Sequence, residues 1–344
     1  MKKVIVTGGA GFIGSHTAIE LDKAGYQPVI VDNFGNSDRR MLGRVARILG
    51  HELPVHELDC RDPLALRRLF EREGECFGVI HFAAHKSVAK SVAQPLDYYD
   101  NNLGSLVALL RAMAEAEVPH LVFSSSATVY GQADTLPVTE QSPVKPAESP
   151  YGRTKQFCEG IIDDVVKSGA ALKAVTLRYF NPVGAHPSGL IGELPLGRPE
   201  NLVPFITQTA AGLRDELVVF GDDYPTPDGT CTRDYVHVVD LAQAHVAALG
   251  WLERESRQTF NEVFNVGTGN ATSVLEAIRA FEQASGTKLR YRIGPRRPGD
   301  VVESYASVSR ANQILRWQAT QTIDDAMRDA WRWQVALRDD PLQG

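Results

Sequence analysis

The sequence predicts an α/β protein, a doubly wound parallel sheet followed by a smaller, mixed α/β C-terminal lobe. In the first half, short apolar runs typical of buried parallel strands alternate with helical patterns. Beyond residue 180 this alternation loosens into stretches rich in proline and glycine, at 181–200 and 221–229. We therefore expect one domain over 1–180 and a second lobe over 181–344, with about 230–270 packing back on the first domain.

The first element is a strand over 3–6 that runs into a glycine turn. Gly8, Gly11 and Gly14 are spaced G-x-x-G-x-x-G and open a helical pattern. Such glycines allow a tight turn and close approach of a pyrophosphate to the helix N-terminus. A second strand, 28–31, ends in Asp32, a position from which a carboxylate accepts hydrogen bonds from an adenosine ribose and repels a 2′-phosphate. This pattern predicts a Rossmann-type site for NAD rather than NADP, although an unrelated α/β glycine turn has the same spacing.

The next strands also end in residues suited to a nucleotide. Strand 55–58 is followed by Asp59 and Cys60, candidates for the adenine rim. Strand 79–82 leads into two alanines, and small residues there let a cofactor lie close to the backbone. A helix over 97–118 follows, and the amides of Asn101 and Asn102 near its start are unusual for a pure packing face.

Strand 121–123 ends in a serine cluster at 124–126, at the sheet edge where open α/β proteins bind ligands. Those hydroxyls either donate hydrogen bonds to a substrate or form hydrogen bonds with backbone groups of the protein. Further on, Tyr151 and Lys155 stand four residues apart after Pro150, a residue suited to the first turn of a helix. They then share one helix face, where an ammonium makes a phenol easier to ionise and a better base. The spacing alone is equally that of an ordinary surface helix.

Composition excludes several other functions. The net charge is −6 with a pI of about 5.9, which argues against a nucleic-acid surface. The four cysteines have no C-x-x-C spacing, so we expect neither a metal site nor disulfides. The one basic run, Arg39, Arg40, Arg44 and Arg47, is interpreted as a solvated helix face. The apolar run at 4–6 is too short for a signal peptide, and without a membrane span we expect a cytoplasmic protein.

Together, the glycine turn, Ser126 and the Tyr151/Lys155 pair resemble the extended short-chain dehydrogenase/reductases. The segments Phe123 to Gly131, Arg178 to Gly189 and Asp228 to His237 are similar to the signatures of the epimerase branch of that family, and the similarity runs from Val4 to about Trp333. The resemblance implies reversible inversion at C4 of UDP-glucose and UDP-galactose, through a transient 4-keto sugar and tightly bound NAD.

The resemblance also implies roles for individual residues. Tyr151 corresponds to the base, Lys155 to the residue that lowers its pKa and holds the nicotinamide ribose, and Ser126 to the hydroxyl partner. The positions implied to contact NAD, besides these three, are Gly8, Gly11, Phe12, Ile13, Gly14, Asp32, Asn33, Phe34, Gly35, Asn36, Ser37, Asp59, Cys60, Phe82, Ala83, Ala84, His85, Lys86, Asn101 and Phe180. Those implied to contact the UDP-sugar are Lys86, Ser126, Tyr151, Asn181, Asn201, Leu202, Val218, Val219, Phe220, Arg233, Arg297, Asp300 and Ser304.

Ser304 departs from the pattern of relatives that are strict for UDP-glucose and UDP-galactose. Those relatives usually carry a bulky tyrosine at this position, four residues past Asp300. A serine leaves room for an N-acetyl group, so we expect activity on UDP-GlcNAc and UDP-GalNAc as well. Tyr305 next to it is a residue that could fill the space instead.

Two alternatives compete with the epimerase. A nucleotide-sugar 4,6-dehydratase or decarboxylase of the same fold places an acid beside the strand-end Ser/Thr, whereas here Ala127 and Thr128 follow Ser126. A non-catalytic NAD-sensing protein has no need of the full set of site residues. The helices over 97–118 and 151–167 carry more apolar residues than one sheet contact uses, including Phe157, and the resemblance implies a homodimer through these helices.

Overall fold

A computed structural model describes residues 1–297 and 301–340. The strands are β1 (Lys2–Thr7), β2 (Tyr26–Asp32), β3 (Val55–Glu57), β4 (Gly78–His81), β5 (His120–Ser126), β6 (Lys173–Tyr179), β7 (Asn181–Val183), β8 (Leu217–Phe220), β9 (Thr232–Arg233), β10 (Tyr235–His237), β11 (Phe260–Val266), β12 (Thr272–Ser273), β13 (Tyr291–Gly294) and β14 (Glu303–Ser304). The helices are α1 (Phe12–Lys23), α2 (Arg40–Leu49), α3 (Pro63–Glu73), α4 (Val88–Ala93), α5 (Pro95–Glu115), α6 (Pro150–Lys167), α7 (Leu202–Ala210), α8 (Val238–Arg254), α9 (Val274–Ser285) and α10 (Ile323–Asp339).

Seven parallel strands form the central sheet in the order β11-β6-β5-β4-β1-β2-β3. The chain runs outward from β1 to β3, returns to β4 on the other side of β1, and continues to β6. The strand order therefore reverses between β1 and β4, which is the switch point where such sheets bind ligands. This topology confirms the predicted doubly wound α/β fold. Strand β11 adds residues 260–266 to this sheet, while the division at residue 180 stays a prediction.

Alternating strand residues explain the layers of the first domain. Val4 and Val6 of β1 pack with residues of α1 and α8, whereas Ile5 between them packs with residues of α3, α5 and α6. Both faces of the sheet are thus covered, as the continuous apolar strands require. In the second lobe α7, α9 and α10 share an apolar core with β8. Trp333 of α10 is buried, and Trp331 packs edge-on against Phe281.

The predicted place of Pro150 in the first turn of a helix is confirmed, and serine caps fix the starts of α6 and α9. Ser149 accepts a hydrogen bond from the Gly152 N–H at 3.2 Å, and Pro150 occupies the first turn of α6. Ser273 forms a reciprocal capping box with Glu276 at the start of α9. Within the described ranges, none of the helices has the length and apolarity that crossing a bilayer requires.

Arg44 corrects the prediction of a solvated basic face on α2. Its side chain is only 5% exposed, and its guanidinium lies 5.2 Å from the Trp333 ring. It donates to the backbone oxygens of Leu190 and Asp340. Arginine combines a flat apolar surface with several donors, so this residue joins α2 to the second lobe instead of facing water.

Candidate active site

Tyr151, Lys155 and Ser126 come together where β5 ends beside the start of α6. Lys155 lies one helical turn after Tyr151, with its Nζ 5.9 Å from the phenol ring centroid. That Nζ donates to the Ser124 carbonyl oxygen at 2.7 Å and is buried. Ser126 ends β5, and its hydroxyl accepts a hydrogen bond from the Thr128 N–H at 3.2 Å. The cluster provides a phenol, a hydroxyl and a fixed ammonium at the carboxyl edge of the sheet.

Burial opposes charge on the two ionisable groups of this cluster. It raises the pKa of Tyr151 to about 12, partly offset by a hydrogen bond from Ser126. It lowers the pKa of Lys155 to about 8, partly offset by Cys158 and Glu159. In the chain itself the Tyr151 phenol is therefore harder to ionise than a free tyrosine, because the hydrogen bond from Ser126 offsets only part of the effect of burial on its pKa.

A buried ion pair behind the cluster was not anticipated from the sequence. Glu159, one turn beyond Lys155, accepts two hydrogen bonds from Arg178 of β6, at 3.0 and 2.5 Å. It also accepts a hydrogen bond from Ser125, the neighbour of Ser126. These contacts join α6 and β5, the two elements that carry the cluster, to β6. The spacing Lys155 to Glu159 places both on one helix face, which was the available signal.

The glycine turn has the shape that a pyrophosphate requires. Gly8 has φ +68°, and a Cβ there would lie 2.8 Å from the Ala83 nitrogen. A Cβ on Gly14 would lie 2.3 Å from the Gly8 oxygen. Helix α1 begins at Phe12 with no side chain capping it, so its first N–H groups are available to an anion. The predicted Gly11, Phe12 and Ile13 lie at this helix start, and the cradle fits a dinucleotide.

Asp32 organises the loop that follows β2. One carboxylate oxygen accepts from the Ala10 N–H at 3.0 Å, and the other accepts from the Phe34 N–H at 2.9 Å and the Ser37 hydroxyl at 2.8 Å. The predicted Asn33, Gly35 and Asn36 lie in the same loop. Asp32 therefore ties the loop to the glycine turn, at the place expected for a ribose.

On the other side of the expected adenine position, Asp59 pairs with Arg61 at 2.7 Å, and hydrogen bonds from Arg61 lower the pKa of that carboxyl. Cys60 beside it is buried. Arg61 also reaches Asp100 at the start of α5, at 2.6 Å. Asp59 is thus already held by a cation of the chain.

The side-chain amide of Asn102, near the start of α5, forms hydrogen bonds to the loop after β4 and to α6. It accepts from the His85 N–H at 2.8 Å and donates to the His85 oxygen at 3.1 Å and to Thr154 of α6 at 3.0 Å. Its amide therefore joins α6 to the loop of the predicted residues Phe82, Ala83, Ala84, His85 and Lys86, through His85. The predicted Asn101 donates to Asn102 at 3.0 Å. Phe180, also predicted, is buried after β6, with its N–H bonded to the Val266 oxygen at 3.1 Å.

The residues predicted to hold the sugar nucleotide lie on several loops and short strands of the second lobe. Arg297 lies 5.3 Å from the ring of Phe220, which ends β8 after Val218 and Val219. Arg233 donates to the backbone oxygens of Thr232 and Val301, at 2.7 and 2.9 Å, and Ser304 pairs opposite it in parallel register.

The remaining substrate residues are also placed. Asn181 begins β7, and Asn201 directly precedes Leu202, the first residue of α7. Asp300 lies outside the described residues. The assignment of these side chains to a substrate stays a prediction.

Other chemistry-bearing residues have roles within the fold. His237 caps α8 by accepting from the Val239 N–H at 3.1 Å, and His245 bonds the Leu241 oxygen at 2.8 Å. All four cysteines are buried thiols that form no disulfide. Over residues 1–297 and 301–340, no group of three or more His, Cys, Asp or Glu side chains is arranged to hold a metal ion.

Comparison with known proteins gives a consistent result. Residues 4–267 match the model of the NAD dependent epimerase/dehydratase family. The chain is 50% identical over 333 residues to UDP-glucose 4-epimerase of Neisseria meningitidis serogroup B, covering 97% of each chain. It is 51% identical over 332 residues to UDP-glucose 4-epimerase of Dictyostelium discoideum, covering 96% of this chain and 95% of that one.

Solved structures agree with these relatives. UDP-glucose-4-epimerase from Stenotrophomonas maltophila, with bound NAD and formylated UDP-arabinopyranose, superposes with a TM-score of 0.95 at 49% identity, covering 98% of this chain and 99% of that one. UDP-glucose 4-epimerase from Bifidobacterium longum, in complex with NAD+ and UDP, superposes with a TM-score of 0.92 at 47% identity, covering 99% of each chain.

Proposed function

The chain belongs to the NAD dependent epimerase/dehydratase family, and we propose that it interconverts UDP-glucose and UDP-galactose by inverting C4 of the hexose. The observation that carries the proposal is the cluster of Tyr151, Lys155 and Ser126 at the sheet edge, with Lys155 fixed by the Ser124 carbonyl, beside the open glycine turn. Relatives about 50% identical over nearly the whole chain bear the name of this activity. A phenol and hydroxyl beside a hydride acceptor are the groups that alcohol oxidation requires.

NAD is the cofactor, and the glycine turn with the start of α1 would hold its pyrophosphate. Asp32 would accept hydrogen bonds from the adenosine ribose, which a 2′-phosphate would disturb by repulsion. When bound, NAD supplies a hydride acceptor that returns the same hydride, so no net oxidation occurs. Such a cycle needs a cofactor that is retained between turnovers, and the glycine turn, Asp32 and Lys155 would supply contacts along its length.

The protein's own groups move one proton. Tyr151, as phenolate, takes the proton from the sugar O4 while Ser126 holds that oxygen through a hydrogen bond. Once the resulting 4-keto sugar has been reduced on its opposite face, Tyr151 would return the proton to O4. Lys155, fixed by the Ser124 carbonyl, stabilises the phenolate by its charge.

The two ends of the substrate must be held differently. Arg233 and Arg297 are permanent forked cations suited to a diphosphate, and Phe220 offers an aromatic wall for a uracil. A sugar that rotates within the pocket must be held loosely while its nucleotide stays bound. The clustering of the predicted ligands at the nucleotide end supports this arrangement.

Incubation with UDP-galactose and no added NAD tests the proposal. Chromatographic separation is expected to show UDP-glucose, which requires both 4-epimerisation and a retained cofactor. No conversion by protein that still releases NAD on denaturation would contradict the proposed substrate. A 4,6-dehydratase would instead yield a 4-keto-6-deoxy sugar, but Ala127 and Thr128 provide no acid beside Ser126 for that reaction.

We further propose activity on UDP-GlcNAc and UDP-GalNAc, because Ser304 is small where strict relatives usually carry tyrosine. Ser304 lies on β14 opposite Arg233, within the predicted substrate site. Replacing Ser304 with tyrosine is expected to remove activity on UDP-GalNAc and spare activity on UDP-galactose. Equal loss of both activities would refute this extension.

A homodimer through α5 and α6 is also proposed. Phe157 of α6 is 48% exposed and lies 6.1 Å, ring to ring, from Tyr99 of α5, while Leu96 of α5 is 78% exposed. Apolar side chains exposed together on two adjacent helices favour a protein partner. Sedimentation of the wild type against Phe157→Glu tests the dimer, and an unchanged mass would contradict this surface. The cytoplasmic location stays a prediction.

A further inference from the structure

Glu193 makes two contacts that the proposed reaction does not explain. Its Oε1 lies 3.1 Å from the Nζ of Lys86 and accepts a hydrogen bond of 2.6 Å from the side-chain amide of Asn201. Lys86 follows β4 in the first domain, and Asn201 precedes α7 in the second lobe. Both are predicted to contact the UDP-sugar, so one carboxylate joins two substrate residues from different parts of the fold.

The carboxylate is held more firmly than its partners. Its side chain is 12% exposed, whereas that of Lys86 is 55% exposed. The Trp333 indole N–H donates to the Glu193 backbone oxygen at 3.0 Å. A Cβ on the preceding Gly192 would lie 2.4 Å from the Trp333 ring, so the backbone packs directly on that indole. The backbone of Glu193 is therefore held in place by Trp333, and its carboxylate restrains the longer and more exposed Lys86 side chain.

A carboxylate beside residues predicted to contact an anionic UDP-sugar repels that ligand. An ion pair whose lysine is 55% exposed contributes little to stability, so folding does not explain the Lys86 contact. Restraint of Lys86 and Asn201 has a clear benefit, since side chains already held in place lose less conformational entropy when a ligand binds.

We propose that Glu193 is a positioning residue for the UDP-sugar, holding the Lys86 ammonium and the Asn201 amide in place before the substrate arrives. The proposal rests on the proposed function. Glu193 acts through its two partners and does not itself take part in proton or hydride transfer.

The test compares Glu193→Gln with Glu200→Gln. Glu200 is exposed, directly precedes Asn201, and loses the same charge without a contact to Lys86. Glu193→Gln is expected to raise KM for UDP-galactose about tenfold with kcat changed less than about twofold, because substrate must now immobilise both partners. Glu200→Gln is expected to match the wild type. An unchanged or lower KM in Glu193→Gln would overturn the proposal.

A variant that lacks both partner side chains shows whether Glu193 acts through them or contacts the sugar itself. In a Lys86→Ala/Asn201→Ala variant, adding Glu193→Gln is expected to have no further effect on kcat/KM. A further loss of similar size would mean that Glu193 contacts the sugar itself, and would overturn the proposal. A lower thermal midpoint with loss of bound NAD in Glu193→Gln would assign it a purely structural role, which also overturns it.

Failure of the proposed function has a different signature. If the wild type converts no UDP-hexose, calorimetric binding of UDP-glucose replaces KM as the readout. Weaker binding by Glu193→Gln than by Glu200→Gln would then support the positioning role without the reaction. Equal binding by the two variants would overturn the positioning role, and so would absence of binding by the wild type.

Discussion

At the scale of single residues, Tyr151 is proposed to carry the proton step, and its surroundings work against its charge. Burial raises its pKa to about 12, so the phenolate must gain its stability from Lys155, Ser126 and the bound ligands. The phenol oxygen is therefore the group whose removal affects chemistry most and packing least.

Tyr151→Phe is expected to lower kcat about 1,000-fold, the range typical for loss of a positioned acid or base. The ring remains, so bound NAD and the thermal midpoint are expected to stay at wild-type values. Tyr291→Phe, at a tyrosine that is 43% exposed, is the matched control and is expected to be fully active. A Tyr151→Phe enzyme within tenfold of the wild type would assign the proton transfer to another group.

Single residues were predictable where a short spacing fixes their geometry. Tyr151 and Lys155 lie one helical turn apart, and Gly8 and Gly14 belong to the same glycine turn. The local sequence was therefore enough to predict that each pair lies close together. Arg44 and Glu193 were not predictable in the same way. Their partners lie far along the chain, Asp340 for Arg44 and Lys86 for Glu193, and only the tertiary fold brings them together.

At the scale of elements, the start of α1 illustrates how backbone packing makes a binding site. The helix begins without a side-chain cap, and the glycines bring its N–H groups close to the end of β1. The strands of this region were predictable because each is a continuous apolar run buried on both faces. The short strands of the second lobe were less so, since β9, β12 and β14 have two residues each.

Gly14→Ala is expected to abolish NAD retention and turnover, because its Cβ would lie 2.3 Å from the Gly8 oxygen and must displace the turn. Gly43→Ala in α2 is the control. A Cβ there meets no atom within 4 Å, and alanine favours helix by about 1 kcal/mol, so stability is expected to rise slightly. The readout is NAD released per protomer on denaturation. Full NAD content in Gly14→Ala would contradict the assignment of the turn.

At the scale of the whole molecule, buried histidines in three elements make the fold sensitive to acid. Burial lowers the pKa of His16 in α1 and His81 in β4 to about 3, and that of His245 in α8 to about 4. Each of these histidines is neutral in the folded state. In the unfolded chain its pKa returns to about 6.5, so below that pH it gains a proton on unfolding. The unfolded chain therefore binds more protons below pH 6.5, and stability falls as the pH falls.

The free energy of unfolding is expected to fall by about 1.4 kcal/mol per pH unit for each of these histidines between pH 6.5 and about 4. Urea denaturation at pH 7.5, 6.0 and 5.0 measures the slope. Above pH 7 these histidines contribute no pH dependence. Equal stability at pH 7.5 and 5.0 would show that they are not buried as neutral groups.

We propose that one hydride leaves C4 and returns to it within a single binding event. Incubating UDP-galactose deuterated at C4 with the enzyme, without added NAD, tests this by mass spectrometry of the product. The UDP-glucose formed is expected to retain the deuterium at C4. UDP-glucose with hydrogen at C4 would show exchange with solvent during inversion, and would contradict a hydride held by the bound cofactor.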